Sequence, residues 1–299
     1  MTMKNFETYT IENCSNLKKP TIYFFLKNNG FSEHYIKHLR NTPNAILLND
    51  FPSTINAQIK VGDKVSISNN PYSASNIQPC EGNLDILFED EDFLIVNKPH
   101  NLSCMPTQSH YSNNLGGQIV NYMQTKQPDF VLRIVNRLDK DTAGIVVVAK
   151  NVIARNNISS INKVYHALCK NTFDSLLPFT INKPIHTVNT NGINQMKRII
   201  SNEGKQSITN VLPLANFDNY SLIQATLETG RTHQIRVHLS SINHPLLGDT
   251  IYNSDFEGQS TNSYLILKKI TFVHFRTHKT ISLEVPYPSI WNDKINIQQ

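Results

Sequence analysis

The run Asn136-Arg137-Leu138-Asp139-Lys140-Asp141-Thr142-Ala143-Gly144 leads straight into Ile145-Val146-Val147-Val148-Ala149. It sets a carboxylate, Asp139, between two basic residues in a polar turn that feeds an apolar, β-branched strand. A loop at the end of a buried strand can hold a side chain rigidly at the rim of a core, which suits a nucleophile or a general base. The same residues also suit a surface turn whose aspartates hydrogen-bond their own backbone. Residue types alone leave both readings open.

Such a loop needs a scaffold, and the flanking sequence supplies one. Apolar segments at 84–88 and 93–96 bracket the acidic turn Glu89-Asp90-Glu91-Asp92, the pattern of a β-hairpin, which then runs into Asn97-Lys98-Pro99. Leu115, Ile119, Val120 and Met123 recur at helical spacing and predict a core-facing helix. Further strands are expected at 163–169, 220–228, 264–267 and 281–285. Helices interspersed among strands without regular alternation predict an α+β fold with a mixed, largely antiparallel sheet. The segment from Thr229-Gly230 reads as the start of an amphipathic helix burying Ile235, Leu239 and Ile242. On that helix Arg231 and Arg236 would point about 140° apart.

Ahead of this unit, residues 21–69 read as a smaller one. A helix at 23–26 ends at Asn29-Gly30, and Ser32 caps a second helix that buries Tyr35, Ile36 and Leu39 while exposing Lys37 and Arg40. A strand at 45–48, an alternating stretch at 55–61 and a closing Gly62-Asp63-Lys64-Val65 follow. The expected division is an N-terminal extension at 1–20, the small unit at 21–69, a linker at 70–82 and the large unit at 83–299.

With 39% hydrophobic and 17% charged residues the 299-residue chain is globular in composition. No apolar run is long enough to span a membrane, no signal-peptide pattern opens the sequence, and a cytoplasmic address follows as the default. The net charge of +5 permits an anionic partner. The four cysteines form no Cys-x-x-Cys pair, and His233 and His238 lie five apart with no acidic ligand adjoining, so neither a zinc site nor a disulfide framework is expected.

The Arg137–Gly144 run resembles the R-L-D-x-x-T-[S/A]-G signature of the RluA-type RNA pseudouridine synthases. Three further segments are similar to that family in the same order: 93–99, ending in Asn97-Lys98-Pro99; Lys163-Val164-Tyr165-His166-Ala167; and Thr229-Gly230-Arg231-Thr232-His233-Gln234-Ile235-Arg236-Val237-His238. Gly204-Lys205 with Thr209, and Gly248-Asp249 with Tyr252, add to the likeness, which spans residues 20 to 287. The small unit resembles the S4 RNA-binding module.

The resemblance implies an enzyme that extrudes a uridine from RNA and isomerises it without a cofactor or metal. It implies Asp139 as the catalytic carboxylate, Tyr165 as the aromatic against the base, and Arg231 as the cation and bidentate partner of Asp139. Arg137, Lys163, His233, Gln234 and Arg236 would contact RNA, with Arg236 touching phosphate or making a structural salt bridge. Lys37 and Arg40 would do so from the S4-like module. Ribosomal RNA is the expected substrate, with transfer RNA possible, and a monomer is expected. Two positions depart from the family pattern: Asn136 stands where His is common, and Ala143 where Ser is usual. A fold-retaining RNA-binding or assembly factor without catalysis is the main rival. A glycosidase would require a second marked carboxylate, and none is present.

Overall fold

The structure, a computed structural model, describes residues 6–68, 77–106, 113–128, 130–158, 160–189, 196–256 and 262–295. Its centre is a nine-stranded sheet. The hairpin Asp85–Glu89 and Phe93–Lys98 forms one edge, followed in space by Ala143–Ala149, Leu265–Val273, Asn162–Lys170, Tyr220–Leu227, Ile208–Asn216 and Phe179–Asn182. Thr280–Glu284 pairs alongside Leu265–Val273. All these pairings are antiparallel except that of Ala143–Ala149 with Leu265–Val273.

That parallel contact is short, matching Ala143 with Ile266 and Gly144 with Leu267. It is also where the Asp139 loop enters the sheet. Gly144 has φ +113°, and a Cβ there would lie 2.3 Å from the Leu267 carbonyl oxygen. Only glycine combines that left-handed backbone with so close an approach. Beyond it Ile145 to Ala149 are fully buried, as expected for a strand covered on both faces.

The helix Leu115–Gln124 buries Leu115, Ile119, Val120 and Met123, with Asn114 capping it through a 2.8 Å bond from Gly117 N. The expected strands form with bounds shifted by a residue or two, except that Leu265–Val273 runs well past the expected end at 267. Ile208–Asn216, Phe179–Asn182 and the two-stranded hairpin Ile185–Asn189 with Met196–Ile200 were not anticipated. The long segment around residue 210 carries Asn, Pro and Ala among its apolar residues and so hides its alternation.

Four strands in the order Phe6–Thr10, Lys64–Ser68, Ile46–Leu48 and Phe51–Pro52 form the small unit's sheet, with helices Ile22–Asn28 and Glu33–Asn41. Ser32 accepts from Tyr35 N, as the sequence predicts. Two expectations are corrected. Phe6–Thr10 is not an extension but an edge strand, paired from Phe6–Ser68 to Thr10–Lys64. The stretch 55–61 forms no continuous strand, because the Ile55 and Ala57 carbonyls accept from Tyr23 N and Ile22 N and satisfy the first helix's unpaired amides.

Nor does the linker isolate the two units. Its residues 70–76 lie outside the described residues, while Cys80 N donates to Gly117 O. Val152 and Ile153, from the helix Val152–Asn157 of the large unit, are buried in the small unit's core. Arg276 joins the two units, contacting Glu7 on one side and Asp92, at 2.6 Å, on the other.

Candidate active site

The Asp139 loop is held by side chains from segments distant in sequence. Lys98 is fully buried, and its ammonium donates to the carbonyls of Pro99 (2.9 Å), Leu102 (2.8 Å) and Lys140 (3.0 Å). Leu138 N donates to Cys104 Sγ at 3.3 Å, and Ser263 Oγ donates to Asp141 O at 3.2 Å. His100 Nδ1 lies 2.7 Å from the same Asp141 oxygen. Asn136 is buried, donating to Ile145 O and accepting from Val147 N, both at 2.9 Å. Its amide thus stitches the loop to the following strand, which accounts physically for Asn at this position.

The loop borders a cavity of about 910 Å³, large enough for a nucleotide. Asp139 lies in its wall with a third of its side chain exposed. The register Gly144–Leu267–Tyr165 across three adjacent strands brings Tyr165 into the same cavity. Burial, with the nearby Asp139 charge, pushes the Tyr165 hydroxyl well above the usual phenol range, so it stays protonated. Lys163, two residues earlier, also lines the cavity. Burial lowers its pKa, and its ammonium has no ion pair or hydrogen bond among the described residues. Arg137 is exposed at the cavity and is likewise free of ion pairs there.

The segment 229–238 departs furthest from expectation. The helix covers Gln234–Ser240, and His233 precedes it with a left-handed φ of 58°. Arg231 therefore lies outside the helix, and the angular argument separating it from Arg236 does not apply. Arg231 is exposed beside the cavity, with Nε 3.4 Å from Gln206 O, and it forms no ion pair with Asp139. The basic side chain nearest Asp139 among the contacts of the described residues is His233, whose Nε2 lies 3.8 Å from Oδ2. Burial lowers the His233 pKa and Asp139 opposes that shift.

His233 Nδ1 lies 3.0 Å from the Tyr252 hydroxyl, which also accepts from Arg198 N at 3.1 Å. With that amide already donating, the tyrosine proton is free to point at Nδ1. This favours the neutral tautomer with its proton on Nε2, facing Asp139.

Two residues expected to meet RNA are engaged inside the protein instead. Gln234 donates to Ile208 O and Thr209 Oγ1 and accepts from Thr229 Oγ1 and Arg231 N, which uses its whole amide. Arg236 is buried, and its fork meets Asp249 in two bonds of 2.7 Å. Of its two anticipated roles, the structural salt bridge is the one formed. Burial works against the Asp249 charge, but Arg236 and the Ile251 and Tyr252 amides outweigh it and hold the carboxyl below its ordinary value. Gln234 and Arg236 border the cavity, and the Asp139 charge reaches the Arg236 guanidinium through space. Lys37 and Arg40 are exposed on the second helix of the small unit, as their spacing predicts.

The roles of Lys98, Cys104, Asp249 and Tyr252 escape a reading of the sequence. Lys98 is marked only by Asn-Lys-Pro, and Asp249 and Tyr252 only by Gly-Asp-x-x-Tyr, positions that reveal no partners, while Cys104 lies in no motif.

The site thus sets a partly exposed carboxylate in the wall of a nucleotide-sized cavity, with basic side chains beside it, on a mixed sheet. The chain matches the RNA pseudouridylate synthase family over residues 92–241, which include the Asp139 loop, Tyr165 and the segment through Arg236. It is 34% identical over 242 residues to the uncharacterized RNA pseudouridine synthase YhcT of Bacillus subtilis, covering 78% of each chain. It is 30% identical over 266 residues to the ribosomal large subunit pseudouridine synthase D of Neisseria meningitidis serogroup A, covering 82% of this chain and 69% of that one. Among solved structures, human RNA pseudouridylate synthase domain containing 1 shares the fold, with a TM-score of 0.55 at 24% identity over 68% of this chain and 83% of that one. The chain belongs to the RNA pseudouridylate synthase family and is an isomerase of that class.

Proposed function

We propose that this enzyme converts specific uridines of structured RNA, ribosomal RNA in the first instance, to pseudouridine, with Asp139 as the essential carboxylate. The observation that carries the reading is the placement of Asp139. It is partly exposed in the wall of a cavity of about 910 Å³, and its loop is held by Lys98, Asn136 and Cys104 from behind. The names of relatives such as the Neisseria enzyme support the ribosomal choice.

A stacked or paired uridine hides its reacting atoms and must be turned out of the helix to reach such a cavity. Inside, the glycosidic C1′–N1 bond breaks, the freed ring reorients, and a C1′–C5 bond forms. C5 then loses a proton and N1 gains one. The change is redox-neutral and needs groups that stabilise charge and move a proton. Asp139 acts as nucleophile or base. Tyr165 presents an aromatic face and a protonated hydroxyl to the base or sugar. Lys163, Arg137 and Arg231 face the phosphates, and His233 steadies Asp139 from its Nε2 side. The small unit serves as an S4-like RNA-binding module through Lys37 and Arg40.

Pseudouridine mapping of total RNA from cells lacking the gene, complemented with wild type or Asp139→Asn, tests the reading. The expected result is a small set of ribosomal sites restored by wild type and not by the variant. Restoration by Asp139→Asn at wild-type level would remove Asp139 from the mechanism, and restored sites confined to transfer RNA would overturn the ribosomal assignment.

A further inference from the structure

A second cavity, of about 420 Å³, opens between the strand Met196–Ile200, the helix Gln234–Ser240 and residues 250–254. No carboxylate lines it, whereas Lys197 and Arg198 do. Arg198 is half-buried and forms no ion pair among the described residues, and its Nη1 is sealed from solvent without a hydrogen-bond acceptor. A guanidinium N–H left in that condition destabilises the protein until an acceptor arrives.

The hydroxyls in the same wall divide into two groups. Ser240 Oγ donates to Tyr252 O and Ser241 Oγ to His238 O, so both are engaged. Thr250 and Ser254 have hydroxyls with no partner among the described residues. The unengaged groups are therefore cations and neutral donors, the set that recognises a phosphate oxygen.

The cavity is also wired to the candidate active site. Tyr252 lines it, and the Tyr252 hydroxyl takes the Arg198 amide at 3.1 Å while meeting His233 Nδ1 at 3.0 Å. His233 in turn stands 3.8 Å from Asp139. The Arg198 charge reaches both His233 and Tyr252.

We propose that this second cavity is an RNA-backbone subsite, taking a phosphodiester near the extruded uridine, with Arg198 as its counter-charge and Thr250 and Ser254 as supporting donors. The proposal rests on the synthase reading, since the nucleotide in the neighbouring cavity is what brings a phosphate here. On occupation the Arg198 guanidinium turns toward the cavity, gains the acceptor that its Nη1 lacks, and ties the substrate to the Tyr252–His233 pair beside Asp139. The hairpin carrying Arg198 thereby contributes to choosing the target.

The test uses the full chain and a fluorescent stem-loop RNA with uridines in its loop, titrated at increasing potassium chloride. Arg198→Gln should flatten the slope of log affinity against log salt by about one, and Arg198→Lys should retain it. Thr250→Val, which removes a donor and no charge, should weaken binding a few-fold and leave the slope unchanged. Placing single methylphosphonate linkages along the loop should then reveal one position where neutralising the phosphate weakens wild type but not Arg198→Gln. If wild type binds with a clear salt slope, and Arg198→Gln matches it in slope and at every methylphosphonate position, the subsite is overturned alone. A wild-type protein showing no salt-dependent binding would overturn the proposed action on structured RNA and the subsite with it.

Discussion

At the scale of single residues, the site depends on side chains that hold the Asp139 loop from behind. Lys98 is the central one, a buried ammonium with three carbonyls around it and no carboxylate in contact. Burial pulls its pKa down to about 8, against the opposing pull of Cys104, Asp141 and Asp139. Between about 8 and the ordinary lysine value of 10.5 the unfolded chain therefore holds a proton that the folded protein has released. Folding stability contributed by this position rises with pH across that window. Urea denaturation of wild type and Lys98→Met should show the difference between them shifting toward wild type by about 1–3 kcal/mol from neutral to alkaline pH. A constant difference would mean that the three carbonyls keep the ammonium charged throughout.

The two arginines of the 231–236 segment separate on the same scale. Arg236→Ala strands Asp249 as a buried, unpaired carboxylate and should lose about 3–5 kcal/mol of stability. Arg231 is exposed and its loss should alter stability by less than about 0.5 kcal/mol, while lowering turnover and RNA affinity. Chemical denaturation and single-turnover rates on the two variants would distinguish these outcomes. An Arg236→Ala protein as stable as wild type would mean that the pair with Asp249 contributes nothing to folding.

At the scale of elements, the active loop is the product of one irregular junction in an otherwise antiparallel sheet. The strand Ala143–Ala149 meets Leu265–Val273 over two residue pairs, and Gly144 makes the approach possible. Gly144→Ala must relieve a 2.3 Å contact with the Leu267 carbonyl while holding a φ of +113°. The expected loss is about 2–5 kcal/mol, from backbone strain and overpacking together. Because Leu267 is also in register with Tyr165, activity should fall further than stability accounts for. Single-turnover rates below the melting transition would show this, and a folded variant with wild-type rates would contradict it.

At the scale of the whole molecule, the small unit is docked rather than tethered. It encloses Val152 and Ile153 from the large unit, and Arg276 spans from Glu7 to the buried Asp92. Removing residues 1–68 would uncover both apolar side chains and strip Arg276 of one partner. The truncated chain should melt well below the full one and aggregate on heating, instead of behaving as an independent domain. Arg276→Ala in the full chain should cost about 2 kcal/mol, most of it from the desolvated Asp92. Thermal melts of the three proteins provide the check. A truncated chain that melts like the full one would show that the shared core adds no stability.

The sequence by itself determined the class of fold, the loop that carries Asp139, the strand that carries Tyr165 and the family to which they belong. These rest on local signals: alternation, helical spacing, a capping serine, and residue types in one unbroken run. Tertiary structure alone decided what each charged group meets. Gln234 read as an RNA contact, and Arg236 as either a phosphate contact or a structural salt bridge, because a motif records which residues occur and not which way they face. Their burial depends on Asp249 and Thr209, which are distant along the chain. Arg231 left the expected helix because His233 takes a left-handed backbone, a choice the residue types do not announce. The edge strand Phe6–Thr10 has no pairing until Lys64–Ser68 lies beside it. Periodicity encodes which face is buried, whereas ion pairs, shared cores and strand neighbours come into being only when separate stretches of chain meet in space.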